Sequence, residues 1–159
     1  MKYYLSSFKL GNKVEKLKSF LKNVNGKIGF IPNALDFTTV DTVRRQREIT
    51  SDMAELERLG ATVELIDLKN YFGKQGELNE LVNNLGGLYV RGGNSFVLRQ
   101  AMFLSGLDNI ILAIAQRNDF LYIAYSAGVC VLTSDLSTYA ITDDANDFPY
   151  VGVTEQIWK

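Results

Sequence analysis

Short apolar runs alternate with helix-compatible segments from residue 2 to residue 133, and this alternation restricts the fold more than any other feature. The strand-like runs are Lys2–Phe8, Lys27–Ile31, Thr62–Leu68, Gly87–Val90 and Phe120–Tyr125. Helical periodicity or capping signals mark Val14–Leu21, a helix from Asp41 to Leu59, Glu77–Leu85, a helix from Asn94 or Ser95 to Ser105, Asn109–Gln116 and Ala127–Thr133. Alternating strands and helices predict an α/β fold, with a mostly parallel sheet and helices on both faces. A further strand is predicted at Tyr150–Val153.

The composition narrows the function classes. A chain of 159 residues, 47% of them hydrophobic, is long enough for one domain with its own core. A net charge of −1 argues against nucleic acid as a partner, and no apolar stretch approaches the ~18 residues of a membrane span. With no histidine and one cysteine, we expect no metal and no cofactor. The single cysteine and an N-terminus without a signal-peptide pattern predict a cytoplasmic protein.

The stretch Tyr125-Ser126-Ala127-Gly128 follows an apolar strand and precedes a helix-compatible segment. This is the pattern of a nucleophile elbow, in which a serine stands on a sharp strand-to-helix turn. Ala124 occupies the first glycine position of that motif, which weakens the match. The alternative interpretation is that Ser126 caps the helix that follows, and the motif alone leaves the two open.

Gly92 and Gly93 also follow a predicted strand, so they should lie at the same sheet edge as Ser126. Glycines there would let backbone N–H groups approach a ligand at a helix N-terminus; the alternative is an ordinary turn capped by Asn94. Arg91 lies between the strand and these glycines. It could attract an acidic substrate, although an exposed arginine at a strand end is the favoured interpretation.

Three motifs, taken in order and spacing, resemble the peptidase E family of serine peptidases. They are Gly-Gly-Asn-Ser-Phe at 92–96, Tyr-Ser-Ala-Gly at 125–128 and Asn-Asp-Phe-Pro at 146–149. The resemblance implies a flavodoxin-like three-layer α/β sandwich like that of the class I glutamine amidotransferases. It also implies a cytoplasmic enzyme that needs no metal and hydrolyses dipeptides with an N-terminal aspartate.

The same resemblance implies roles for individual residues. Ser126 would be the nucleophile and Asp147 the acidic member of the charge relay. The backbone N–H groups of Gly93 and Ala127 would form the oxyanion hole. Gly92, Asn94 and Arg91 are candidate substrate contacts because of their place at this edge, and Arg91 stands where the family usually has a third glycine.

The chain departs from the family in having no histidine, whereas the family's catalytic histidine follows the Asn-Asp-x-Pro segment. We therefore expect residues 1–159 to be one peptidase E-like domain that lacks its C-terminal part, with doubtful activity on its small peptide substrate. Apolar sheet surface left uncovered would favour self-association, and Trp158 is expected to be packed. The alternative function is that of a catalytically inactive α/β binding protein that retains the elbow as a scaffold.

Overall fold

Five parallel strands form a single sheet in the computed structural model, which describes residues 1–153. The strands are β1 (Lys2–Ser6), β2 (Lys27–Ile31), β3 (Thr62–Leu65), β4 (Gly87–Val90) and β5 (Leu121–Tyr125). Their spatial order is β1-β5-β4-β2-β3, and every neighbouring pair is parallel. The all-parallel sheet confirms the predicted fold class and is consistent with a flavodoxin-like sandwich.

Residues 1–153 contain six α-helices, of which the first five connect the strands and the sixth follows β5. They are α1 (Val14–Leu21), α2 (Thr42–Arg58), α3 (Gln75–Asn83), α4 (Ser95–Ser105), α5 (Leu107–Ile114) and α6 (Ala127–Cys130). Asp41 caps α2 by accepting a hydrogen bond from the Arg44 N–H, as its position predicts. Within residues 1–153 no single helix is both long enough and apolar enough to cross a membrane. Helices α4 and α5 have the required length and composition only when taken together, and an 80° bend separates them.

Alternate strand residues face two separate cores, which is the period-2 pattern of a sheet covered on both sides. On one face, Phe30, Tyr89 and Ile123 pack with residues of α1 and α2. On the other face, Leu88 and Tyr122 pack with residues of α3, α4 and α5. The helices therefore form the two outer layers of the sandwich.

Several predicted boundaries were wrong for local reasons. β3 ends at Leu65 instead of Leu68 because the Asp67 side chain accepts from the Lys69 N–H and starts a 3₁₀ turn at Leu68–Tyr71. The helix after Ser126 ends at Cys130 instead of Thr133, where its hydrogen bonds tighten to an i+3 spacing.

The strand predicted at Tyr150–Val153 is a turn. The Tyr150 hydroxyl donates to Asp36 and its ring packs edge-on against Phe72, which anchors the segment by its side chain instead of by a strand ladder. The prediction for Trp158 falls outside the described residues.

Candidate active site

Ser126 lies on a strained turn between β5 and α6. Its φ of 49° and ψ of −118° are a conformation that non-glycine residues rarely adopt. Its side chain makes no capping hydrogen bond to α6, and the residue is exposed. The capping interpretation is therefore wrong, and the turn presents the serine hydroxyl at the carboxyl edge of the sheet, as a nucleophile elbow does.

The glycine turn after β4 lies directly beside the elbow. A methyl group on Gly92 would approach the Ser126 Cβ to 2.9 Å and the Tyr125 ring to 2.6 Å. Gly93 has a φ of 152°, and a methyl group there would come within 2.2 Å of the Ala34 carbonyl oxygen. Both positions therefore require glycine, and the predicted meeting of the two turns at one edge is confirmed.

The backbone N–H groups at this edge include two, those of Gly93 and Ala127, that have no protein acceptor among the described residues. Ala127 is the first residue of α6, and Gly93 immediately precedes the Asn94 cap of α4. Unpaired N–H groups at such turns are the donors from which oxyanion holes are built.

The Asn94 side chain makes hydrogen bonds within the protein. Its Oδ1 accepts from the Phe96 and Val97 N–H groups, and its Nδ2 donates to the Asp144 carbonyl. The side chain thus caps α4 and ties it to the loop that carries Asp147. This arrangement fixes the glycine turn and leaves the substrate-contact prediction for Asn94 without support in the geometry.

A cavity of 410 Å³ opens over Ser126. It is bounded by the elbow, the glycine turn, the loop after β2 and the first turns of α2. Its lining residues include Ser7, Phe8, Leu35, Phe37, Thr39, Val40, Asp41, Arg44, Arg45, Glu48, Arg91, Gly92, Gly93, Tyr125 and Ser126. The volume is suited to a small ligand.

Asp147 lies behind the wall of this cavity. Its carboxylate accepts from the Thr38 N–H at 3.0 and 3.3 Å, and its carbonyl accepts from Gln100 Nε2 at 2.8 Å. Phe37 and Thr39, the neighbours of Thr38, line the cavity, whereas Asp147 does not. Within residues 1–153 the aspartate makes no hydrogen bond to Ser126, so a third group would have to join them.

The family model for peptidase family S51 matches residues 6–153, a range that includes the elbow, the glycine turn and Asp147. The chain belongs to peptidase family S51. The peptidase E family expected from the three motifs is therefore confirmed.

Relatives of this S51 chain are also peptidases by name. An uncharacterized peptidase of Listeria monocytogenes is 35% identical over 144 residues, which cover 90% of this chain. The chain spans 65% of the length of that relative.

Solved structures share the fold. A crystal structure of a candidate peptidase E from Listeria monocytogenes superposes with a TM-score of 0.75 at 26% identity, covering 98% of this chain and 73% of the other. A peptidase from an acI-B1 actinobacterium superposes with a TM-score of 0.64 at 20% identity, covering 83% and 56%, and supports the fold alone.

Arg91 has an environment in this S51 site that differs from the expected one. The favoured expectation of an exposed arginine is wrong, because the residue is only 6% exposed. Its guanidinium donates to Asp52 at 2.8 Å, to the Gly92 carbonyl at 2.9 Å and to Glu48. With these donors engaged, Arg91 is not a free cation for an acidic substrate.

Asp52 and Glu48, the two carboxylates that accept hydrogen bonds from Arg91, were not identified as its partners from the sequence. Both lie on α2, where charged residues are explained by helix-surface pairing. The only available signal was Asp52 itself, which falls on the apolar face of α2 beside Met53 and Leu56. Of the described residues, no group of three or more His, Cys, Asp or Glu side chains is arranged to hold a metal ion.

Proposed function

We propose that this S51 chain carries the nucleophile and oxyanion hole of a serine peptidase that acts on small peptides. The observation that carries the proposal is Ser126, exposed and strained beside two unpaired backbone N–H groups. In the proposed reaction, Ser126 Oγ attacks the scissile carbonyl carbon. The resulting oxyanion accepts hydrogen bonds from the Gly93 and Ala127 N–H groups. Its collapse breaks the peptide C–N bond, the amine leaves with the proton that the base took from Ser126, and water then hydrolyses the acyl-enzyme.

Proton transfer from Ser126 requires a base. The 159 residues contain no histidine, so the base is either another residue type or a group outside these residues. Asp147 is proposed to orient that base. Among the described residues Asp147 makes no hydrogen bond to Ser126 and does not line the cavity, so the base would have to stand between the two side chains, as in a charge relay.

The preferred substrate is proposed to be a dipeptide with an N-terminal aspartate. The cavity size suits a dipeptide, and Arg44 at its rim is the cation best able to meet an acidic group. The Arg44 side chain is 70% exposed, and its ion pair with Glu48 is an i,i+4 surface pair of small energy.

The second candidate function is ligand binding without catalysis. It is favoured by the absence of histidine from the sequence, since a serine hydroxyl without a base is a poor nucleophile. The same cavity would then hold a small acidic peptide without turning it over.

A fluorophosphonate probe tests the proposal on the 159-residue chain. The wild type and a Ser51→Ala control, altered at an exposed serine of α2, are expected to label stoichiometrically, and Ser126→Ala is expected to remain unlabelled. A folded wild type that does not label would overturn catalysis by this chain. Binding of an aspartyl dipeptide measured by calorimetry would then support the second function.

Substrate preference needs a separate comparison. Hydrolysis of dipeptides that begin with Asp or Asn and share the second residue is expected to favour Asp. Equal rates for the two would remove the acidic-substrate proposal and leave the peptidase proposal intact.

A further inference from the structure

We propose that Arg91 is a positioning residue that holds the oxyanion-hole turn and the nucleophile elbow in fixed register. This inference deepens the proposed function and rests on it. The starting observation is that the buried Arg91 guanidinium contacts both turns of the site. It contacts Gly92, the residue before Gly93, and Tyr125, the residue before Ser126.

On the side of the oxyanion hole, Arg91 Nη1 donates to the Gly92 carbonyl at 2.9 Å. Glycine places little restraint on its own backbone, so two consecutive glycines need contacts from other residues to keep one conformation. The Gly92 carbonyl belongs to the peptide unit that carries the Gly93 N–H. The bond from Arg91 therefore fixes the plane in which that N–H points.

On the side of the nucleophile, the guanidinium carbon lies 5.8 Å from the centre of the Tyr125 ring. This is within the range of a cation–π contact. The Tyr125 hydroxyl donates to Asp52 Oδ2 at 3.3 Å, the same oxygen that accepts from Arg91 Nε at 2.8 Å. Burial raises the pKa of Tyr125, so the hydroxyl stays protonated and continues to donate.

The network is anchored to helix α2. Asp52 is 1% exposed, and Glu48, one turn earlier, accepts from Arg91 Nη2. Lys9 Nζ lies 3.5 Å from the other Asp52 oxygen and joins the loop after β1 to the same group. Buried charges that are paired and hydrogen-bonded in this way tolerate little displacement, because breaking one contact leaves an uncompensated charge.

Lysine could not replace Arg91 in this role. The guanidinium is a rigid planar fork that donates in three directions here, to two carboxylates and one carbonyl. An ammonium group would keep the charge but could not span these acceptors with fixed geometry. Arg91→Lys thus separates charge compensation from positioning.

The test compares Arg91→Lys with the wild type and with Arg99→Lys as a matched control. Arg99 also joins a carboxylate to backbone carbonyls, but it lies outside the cavity. For fluorophosphonate labelling, the maximal inactivation rate of Arg91→Lys is expected to fall about tenfold or more, since small misplacement of reacting groups costs that much. Its inhibition constant and melting temperature are expected to stay near those of the control. Labelling at the wild-type rate would overturn the proposal.

A second readout does not depend on catalysis. Backbone ¹⁵N order parameters of Gly93 and Ser126 are expected to be near 0.85 in the wild type and to drop below about 0.6 in Arg91→Lys. Should Arg91→Lys not fold, Glu48→Ala removes one acceptor of the fork from a partly exposed site and is expected to lower the same order parameters. If the wild type does not label, the proposed function fails, and the order parameters alone decide the positioning role; unchanged values would refute it.

Discussion

The Tyr122 hydroxyl donates a 2.8 Å hydrogen bond to the Gly128 carbonyl, and this bond ties strand β5 to helix α6 across the strained Ser126 turn. Tyr122 is fully buried, and burial raises its pKa, so the hydroxyl remains a donor over the whole neutral range. The elbow is therefore held from inside the core as well as from the cavity side.

Removing this hydroxyl should destabilise the fold. Tyr122→Phe leaves the buried Gly128 carbonyl without its donor, and we expect the free energy of unfolding to fall by about 1–3 kcal/mol. Urea denaturation measures the change. Tyr89→Phe is the matched control, because the Tyr89 hydroxyl is buried without a hydrogen-bond partner among the described residues. Its loss should be neutral or stabilising, and equal losses in the two variants would contradict the expectation.

Gly128 should not tolerate a side chain. A methyl group there would lie 2.2 Å from the Val90 carbonyl oxygen, a backbone atom that cannot move without disturbing β4. We expect Gly128→Ala to cost more than about 3 kcal/mol, at or beyond the cost of a typical overpacked core. Gly76→Ala places the same methyl group in open space on α3 and is expected to be neutral or stabilising. Thermal melts of both variants provide the comparison, and similar melting temperatures would refute it.

Relief of strain at Ser126 should stabilise the protein. A non-glycine residue at such backbone angles costs about 1–3 kcal/mol, which Ser126→Gly would recover, less the added entropy of the unfolded chain. We expect a net gain of about 1 kcal/mol in unfolding free energy, measured by urea denaturation. Ser126→Ala keeps the strain and serves as the control. A loss of stability in the glycine variant would show that the turn is not strained.

Alkaline pH should weaken the fold through four of the buried tyrosines. Burial raises the pKa of each, and they are Tyr89, Tyr122, Tyr125 and Tyr150. In the unfolded chain a tyrosine ionises near pH 10, whereas in the folded protein these four retain their protons. The unfolded state then binds fewer protons, so stability is complete below pH 10 and falls above it, by up to about 1.4 kcal/mol per pH unit for each tyrosine.

Unfolding by urea at pH 8, 10 and 11, together with phenolate absorbance, checks this dependence. The absorbance of the buried tyrosines should rise only as the protein unfolds. A free energy of unfolding that is equal at pH 8 and pH 11 would be inconsistent with it.

Much of this fold could be predicted from local sequence. The strands at Lys27–Ile31 and Gly87–Val90 and the helix at Val14–Leu21 were predicted with the observed bounds, because apolar periodicity is a local property. The two site turns could be placed together because the carboxyl ends of parallel strands share an edge. Their order along the chain also indicated the family.

What the sequence did not reveal depends on distant contacts. Arg91 meets Asp52 and Glu48 from 39 and 43 residues away, and no periodicity in either segment records that pairing. Tyr150 was assigned to a strand because its neighbours are β-prone, yet its hydroxyl bond to Asp36, 114 residues away, holds a turn. Side chains that satisfy buried partners thus overrode local preference.

The strand order affects how the candidate site forms during folding. β5 lies between β1 and β4, so the N-terminal strand pairs with a strand that begins at residue 121. Long-range parallel pairing of this kind is slow, because the entropy cost of closing the loop comes before any stabilising contact forms. A growing chain can assemble β2, β3 and β4 early, whereas β1 stays unpaired until β5 has been made. Ser126 follows β5 directly, so insertion of this strand between β1 and β4 also brings the Ser126 hydroxyl beside the glycine turn.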